Sequence, residues 1–441
     1  MRHIFPSYAY GPEPKAHCWW DETCTIPQFS SLTADDSASI AIIGGGFTGL
    51  NAAYHLAKAG KDVVVLDANE IGWGASGRNG GFCCLGGGTA SDALLDLRFG
   101  KQDRLHYRET EKLAVSYVGD LIQNLGLDVD RHSNGETAVA HRAKDMNHLL
   151  ASAEQIEENY GVVPQYTSQN DMAAQGLSGP FFGAMTTPIG FALNPRKYLL
   201  GLATAASNAG VRIFENADVV KAERTANMWV LDVGNFQLKA DKVIVATNGY
   251  SSETVPDWLA GRYMPTQSNV IVTRPISEQE QAEQGWTSAQ MVFDTRNLLH
   301  YFRLLPDGRF LFGMRGGLTA SAQSDLRSMQ AALRDFRKMF PAWSQVDITH
   351  NWSGMVSVAR SQLPFVGQVP DAENMFAGLN FHGNGVAMGS YVGKLLSQLV
   401  MKDDAVSRPL AMSDPPAQFP FGAARRVIMP AVYAGLAILD F

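Results

Sequence analysis

The stretch IAIIGGGFTGLNAAYHLAKAGKDVVVLDA, residues 40–68, constrains this chain more than any other. Ser39 to Ile43 reads as a short buried strand, Leu50 to Lys58 as a helix, and Asp62 to Asp67 as a second buried strand. Gly60 stands where such a helix would end. Between strand and helix, Gly44, Gly46 and Gly49 form a GxGxxG turn. The first glycine permits the tight turn, the second lets the backbone approach a pyrophosphate, and the third lets the helix pack close to the strand. Phosphates then meet the helix N-terminus, where N–H groups and the helix dipole favour anions. Asp67 ends the second strand, 18 residues past Gly49. A carboxylate there accepts hydrogen bonds from ribose hydroxyls and repels a 2′-phosphate. The unit predicts a dinucleotide site that disfavours NADP. By itself it does not separate FAD from NAD.

The 441 residues suffice for two or three domains. A net charge of -7 without long like-charged blocks argues against nucleic-acid or anionic-membrane partners. Cys18, Cys24, Cys83 and Cys84 show no CxxC pair, and no His/Cys cluster has metal spacing. They read as reduced thiols of a cytoplasmic protein. The N-terminus lacks the apolar run of a signal peptide. No stretch reaches the roughly 20 apolar residues that span a bilayer. The nearest, Val427 to Leu439, contains Pro430 and reads as a docked terminal helix, with an interfacial anchor as the alternative.

Dinucleotide-type segments recur in separated places, and the region from Tyr263 to Gly313 alternates like antiparallel strands joined at Pro306-Asp307-Gly308. Helical patterns cover Asp92 to Leu125, Met146 to Tyr160, Asn194 to Ala209, Asp325 to Phe340 and Val386 to Met401. The chain therefore crosses repeatedly between two domains. The expected organisation is an N-terminal arm (1–37), a discontinuous cofactor domain (38–98, 194–258 and 348–402), a substrate domain (99–193 and 259–347), and a tail (403–441) packing on the body.

A second glycine-rich loop, IGWGASGRNGG at 71–81, follows Asp67 directly and suits a cofactor that needs further backbone donors. With it, the pattern resembles the D-amino-acid oxidase family of flavoproteins, which includes glycine, sarcosine and γ-glutamylputrescine oxidases. Residues 190–220, VIVATNGYSS at 243–252 and FHGNGVAMGSYVGKLLSQLV at 381–400 fit the family's order, so the resemblance spans about 38–402. It implies an α/β fold: a Rossmann-like FAD-binding domain of glutathione-reductase type, plus an α+β substrate domain built on a mainly antiparallel sheet. It also implies a flavin-dependent amine oxidoreductase. Carried over by position, Gly46, Phe47, Thr48 and Asp67 would contact the ADP half. Ala75, Ser76, Arg78, Asn79, Gly80 and Gly81 would line the pyrophosphate and isoalloxazine. Val219 would meet adenine, Thr247 and Gly249 would form the cofactor turn after the third strand, and Gly383, Asn384, Gly385 and Val386 would run along the flavin.

Departures from the family narrow the expectation. Gly74 and Gly354 stand where some relatives carry the histidine or cysteine that bonds the flavin, so the resemblance implies non-covalent FAD. Leu311 and Ala387 stand where sarcosine oxidases carry an oxygen-activating lysine and a carboxylate-binding lysine. This points to a small-molecule amine without a carboxylate beside the reacting C–N bond, most like γ-glutamylputrescine. The acceptor is oxygen, or else a quinone or protein acceptor in a dehydrogenase; a non-catalytic flavoprotein subunit is the third reading. On the substrate side, His382, Trp352, Tyr301 and Arg303 are candidates. Each has a plainer alternative: a structural histidine, core or sheet aromatics, and a cross-strand ion pair for Arg303.

Overall fold

The computed structural model describes residues 2–317, 319–403 and 406–440. Its first layer grows from the β-α-β unit: β1 (Asp36–Ile43), α1 (Phe47–Lys58) and β2 (Val63–Leu66). All four residues of β2 are buried, the continuous apolar run of a strand covered on both faces. β2 pairs parallel with β1 and with Arg212–Phe214, while β1 pairs parallel with Phe236–Val245 and the latter with Met375–Leu379. Antiparallel strands extend this parallel core: Phe365–Gln368 at one edge, and Met228–Val233 with Val219–Thr225 on a branch from Phe236–Val245.

Helices α1, Pro195–Asn208 and Ala387–Met401 pack on this sheet. Pro195 occupies the first turn, where its missing N–H costs nothing, and the Asn194 side chain caps the Arg196 and Lys197 amides. The helical run expected from Asp92 to Leu125 breaks at Gly100, whose φ of +84° divides Asp92–Phe99 from Lys101–Leu125. The run near Met146 to Tyr160 likewise divides into Ala143–Ala151 and Ala153–Tyr160.

The second sheet runs Ile348–Val358, Met264–Thr273, Phe310–Arg315, His300–Leu304, Met291–Asp294, Glu136–Val139, Gly183–Thr187, Gln165–Ser168. Its pairings are antiparallel except that between Met291–Asp294 and Glu136–Val139. Strand Ile348–Val358 lies along Met264–Thr273 in this sheet, although the sequence grouped 348–402 with the cofactor segments. Gly308 closes the hairpin before Phe310 at φ +81°. Under helix Ala322–Met339, an aromatic cluster of Trp286, Phe302, Phe310, Phe312, Phe336, Phe340 and Trp343 forms the core of this layer, all fully buried.

The tail differs from a docked apolar helix. Met429–Leu439 buries none of its side chains, and Val432, Ile438 and Leu439 are exposed. Polar contacts at its ends hold it. Asp440 Oδ1 accepts from the Asn297 amide at 2.7 Å, Asp440 Oδ2 accepts from the Leu298 amide, and the fully buried Arg425 pairs with Glu253 at 2.6 Å. By length and composition Gly422–Leu439 could cross a membrane.

Phe310 touches Trp286, Phe336, Phe340 and Trp343 within the aromatic core. Phe310→Ala is expected to cost about 3–5 kcal/mol. A lowered thermal or urea midpoint, with secondary structure retained at room temperature, checks this.

Candidate active site

A cavity of about 350 Å³ opens along the C-terminal ends of the parallel strands. That is where open α/β sheets bind ligands, because the helix N-termini converge there. Glycine makes the approach possible. Gly44 sits at φ +102°, a conformation that L side chains rarely adopt, and a Cβ on Gly49 would fall 1.9 Å from the Gly44 carbonyl oxygen. The first turn of α1 therefore lies directly against the strand it follows, with Gly46, Phe47 and Thr48 lining the cavity. The Phe47 amide donates to Ser76 Oγ at 3.0 Å, which ties the second glycine loop to the helix start.

Asp67 is enclosed at the end of β2. Its Oδ2 accepts from the Gly45 amide at 2.8 Å and its Oδ1 from the Asn69 amide at 3.0 Å. Burial pushes its carboxyl up to about 6, and these two hydrogen bonds oppose that rise. Ala68, Asn69, Ala217, Asp218 and Val219 continue the same end of the cavity. Asp67 and Asp218 are the only carboxylates among its lining residues.

The second loop is held by a scaffold of its own. Asn79 Nδ2 donates to the Ala75 and Ser76 carbonyls, while Asn79 Oδ1 accepts from the Gly81 amide. Arg78 is buried, not paired on the surface. Its Nε donates to the Trp73 carbonyl and its Nη1 to the Ser353 carbonyl of the second sheet, and it stacks 4.5 Å from the Trp73 ring centroid. Ala75, Ser76 and Asn79 line the cavity; Gly80 and Gly81 sit behind it. A Cβ on Gly80 would meet the Tyr301 ring at 2.7 Å, and one on Gly81 would meet the Leu193 carbonyl at 2.0 Å and Arg303 at 2.5 Å.

The substrate-side candidates are therefore found mostly behind the loop. Tyr301 packs on Gly80 and Gly313, with its hydroxyl 2.9 Å from Ser268 Oγ. Arg303 is fully buried and donates to His132 Nε2 and the Leu193 carbonyl, so no cross-strand ion pair forms; burial brings it down to about 9. The Trp352 indole donates to the Arg78 carbonyl at 2.7 Å. His382 accepts from the Ala359 amide through Nε2, and burial, helped by the charge of Arg315, pulls it down to about 3. It is neutral across the physiological range. Beyond it, Gly383, Gly385 and Val386 line the cavity, and Asn384 instead donates to the Leu85 carbonyl. Thr247 and Gly249 line the facing wall.

Sequence reasoning missed Trp73, Tyr250, Met355 and the arm residues His3 and Tyr10, all of which line the cavity. Met355 belongs to a strand that the alternation pattern did not reveal. His3 and Tyr10 lie far from every motif. The cysteines Cys18, Cys24, Cys83 and Cys84 are free, and none lines the cavity. No group of three or more potential metal ligands occurs among the described residues.

Comparison with known proteins agrees with this geometry. The model of the DAO family, described as FAD dependent oxidoreductase, matches residues 39–399. A probable oxidoreductase OrdL of Rhizobium meliloti is 30% identical over 393 residues, covering 88% of this chain and 89% of that protein. The γ-glutamylputrescine oxidoreductase of Escherichia coli is 29% identical over 409 residues, 93% of each chain. The crystal structure of glycine oxidase from Geobacillus kaustophilus superposes with a TM-score of 0.70 at 20% identity, covering 86% of this chain and 98% of that one. The chain belongs to the DAO family of FAD-dependent oxidoreductases, enzymes of amine and amino-acid C–N bonds, and FAD is its cofactor. The residues present fit that group: the glycine turn, the helix start and a ribose-range carboxylate share one elongated cavity.

The raised carboxyl of Asp67 gives a pH dependence with a defined sign. As pH falls from 7 through about 6, Asp67 gains a proton and loses acceptor strength toward a hydroxyl donor. FAD binding is expected to weaken over that window. In Asp67→Asn the slope should flatten, and Asp67→Ala should bind FAD more weakly while keeping its fold. Titrating apoprotein with FAD at several pH values, followed by flavin fluorescence, measures all three.

Proposed function

We propose that this enzyme oxidises an amine that carries no carboxylate next to the reacting C–N bond, a γ-glutamylputrescine-like molecule, with oxygen as acceptor and hydrogen peroxide as product. One observation carries the substrate half of the reading: the position where some relatives hold the substrate carboxylate with a lysine is an apolar residue here, as is the oxygen-site position. Leu311 is fully buried against Trp20, Val270, Val272 and Trp352, and Ala387 is buried at the start of its helix. Neither position carries a cationic side chain. The 29% identity to a γ-glutamylputrescine oxidoreductase over nearly the whole chain supports the same substrate class.

FAD, when bound, supplies the redox chemistry, taking up the hydrogen and electron pair of the carbon next to nitrogen to leave an imine that water hydrolyses. The chain contributes orientation, dryness and charge. Its substrate-side cation is Arg315, part-buried on the same strand as Leu311, with Nη2 donating to the His382 carbonyl at 2.9 Å beside the Gly383 turn. Among the described residues it has no carboxylate partner, and Tyr301 and Tyr433 flank it. A guanidinium there disfavours an ammonium nearby and so favours the neutral, reactive amine. It also suits the distant carboxylate of a glutamylated amine, a role that fits Arg315 better than the enclosed Arg303. With His382 neutral and engaged by a backbone amide, no side-chain base is assigned.

Arg315→Ala should raise KM for γ-glutamylputrescine roughly 10- to 100-fold, the worth of one charge-assisted bond, while leaving turnover of plain putrescine within about twofold. Equal losses on both substrates would place Arg315 in the fold rather than in recognition. Non-covalent FAD predicts a yellow supernatant over a colourless pellet after acid precipitation. The exposed apolar helix Met429–Leu439 favours a second reading, a dehydrogenase that delivers electrons to a membrane quinone. Air-saturated assays decide: peroxide formed in step with amine consumption supports the oxidase, whereas dye or quinone reduction without peroxide supports the dehydrogenase.

A further inference from the structure

The N-terminal arm lies outside the residues that the family model matches, yet two of its side chains, His3 and Tyr10, help to wall the cofactor cavity. Their rings pack on each other, with centroids 4.1 Å apart. His3 neighbours Asp218 and Ser251, toward the end that holds Asp67, while Tyr10 meets the Tyr250 ring edge-on at 6.4 Å. Tyr250 in turn packs on Trp73. His3 Nδ1 and the Tyr10 hydroxyl are both shielded from solvent and make no well-formed hydrogen bond, although the Ile4 and Phe5 backbone lies near the Tyr10 hydroxyl. Buried polar atoms are nearly always paired, because an unpaired one loses its water without compensation. The His3 ring lies beside the Ser251 backbone.

The arm is also bolted on both sides of the opening. At one end Arg2 pairs with Glu253 at 2.9 Å and the Glu253 amide donates to the Arg2 carbonyl at 2.8 Å. Phe5 is buried beside Ala9, Ala320 and Met355. At the other end Lys15 pairs with Glu70 at 3.1 Å and the Trp20 indole donates to the Asn79 carbonyl at 2.8 Å. Glu70 and Asn79 border the second glycine loop, so the arm joins that loop to the Glu253 turn across the cavity.

We propose that residues 2–20 form a clasp over bound FAD: His3 Nδ1 and the Tyr10 hydroxyl complete their hydrogen bonding on the cofactor, and the arm opens before FAD leaves. The clasp acts on retention of the cofactor and is independent of which amine is oxidised. A segment that must detach before release slows dissociation more than it changes association.

The test uses full-length holoenzyme, a variant lacking residues 2–11, and the point variants His3→Ala and Tyr10→Phe. FAD release on dilution is followed by free-flavin fluorescence, and the dissociation constant is measured by ultrafiltration of apoprotein with added FAD. Truncation should speed release at least about tenfold, with little change in the rate of binding. Each point variant should raise the dissociation constant about 3- to 10-fold, the worth of one hydrogen bond. Melting of the apoproteins controls for folding; where the truncated chain does not fold, the two point variants decide. Unchanged release rates and dissociation constants in the variants that fold overturn the proposal.

Discussion

The loop from Trp73 to Gly81 is where the two layers of this molecule are fastened together, and the cavity depends on it. Arg78 reaches from the loop to the Ser353 carbonyl in the second sheet, and Trp352 of that sheet returns a bond to the Arg78 carbonyl. Ser76 holds the start of α1 through the Phe47 amide. Two glycines in the loop accept the close approach of Tyr301 and Arg303 from behind. One short segment thus fixes both the start of α1 and the edge of the second sheet. A buried guanidinium bonded only to carbonyls is costly unless its geometry is satisfied, so the arrangement tolerates little movement.

The β-α-β unit was legible because its signals are local. Periodicity gives the strand and helix, and the glycine spacing gives the turn between them. The family resemblance extended this to the second loop, the 243–252 turn and the flavin turn. Other features depended on contacts between distant residues. Arg78 was expected along the cofactor and Tyr301, Arg303 and Trp352 on the substrate side, whereas the structure packs all four as a scaffold behind the loop. Nothing in their spacing says which side of a backbone they approach. The long strand Ile348–Val358 alternates weakly, ITHNWSGMVSV, and only its pairing with Met264–Thr273 defines it. The arm residues carry no periodicity at all, so their place on the cavity follows from tertiary packing alone.

The proposed substrate side carries little charge. Where lysines would stand in some relatives, Leu311 and Ala387 are packed against apolar neighbours, and Arg315 nearby on the Leu311 strand is flanked by Tyr301 and Tyr433. His382 sits at a positive φ of 51° and spends its free nitrogen on a backbone amide, which shapes the turn into Gly383. A site with few ionisable groups suits chemistry in which the cofactor handles the electrons and the protein must mainly keep the amine neutral and the water out.

Glu253 gathers two segments that lie far apart in the chain. It is nearly fully buried, and it pairs with Arg2 at 2.9 Å and with Arg425 at 2.6 Å. A carboxylate in that position is poorly accommodated until both guanidiniums have arrived. Arg425 follows Arg2 far along the chain and is therefore synthesised much later. The strands of the β-α-β unit can therefore form before the arm is seated, because that seating waits on Arg425.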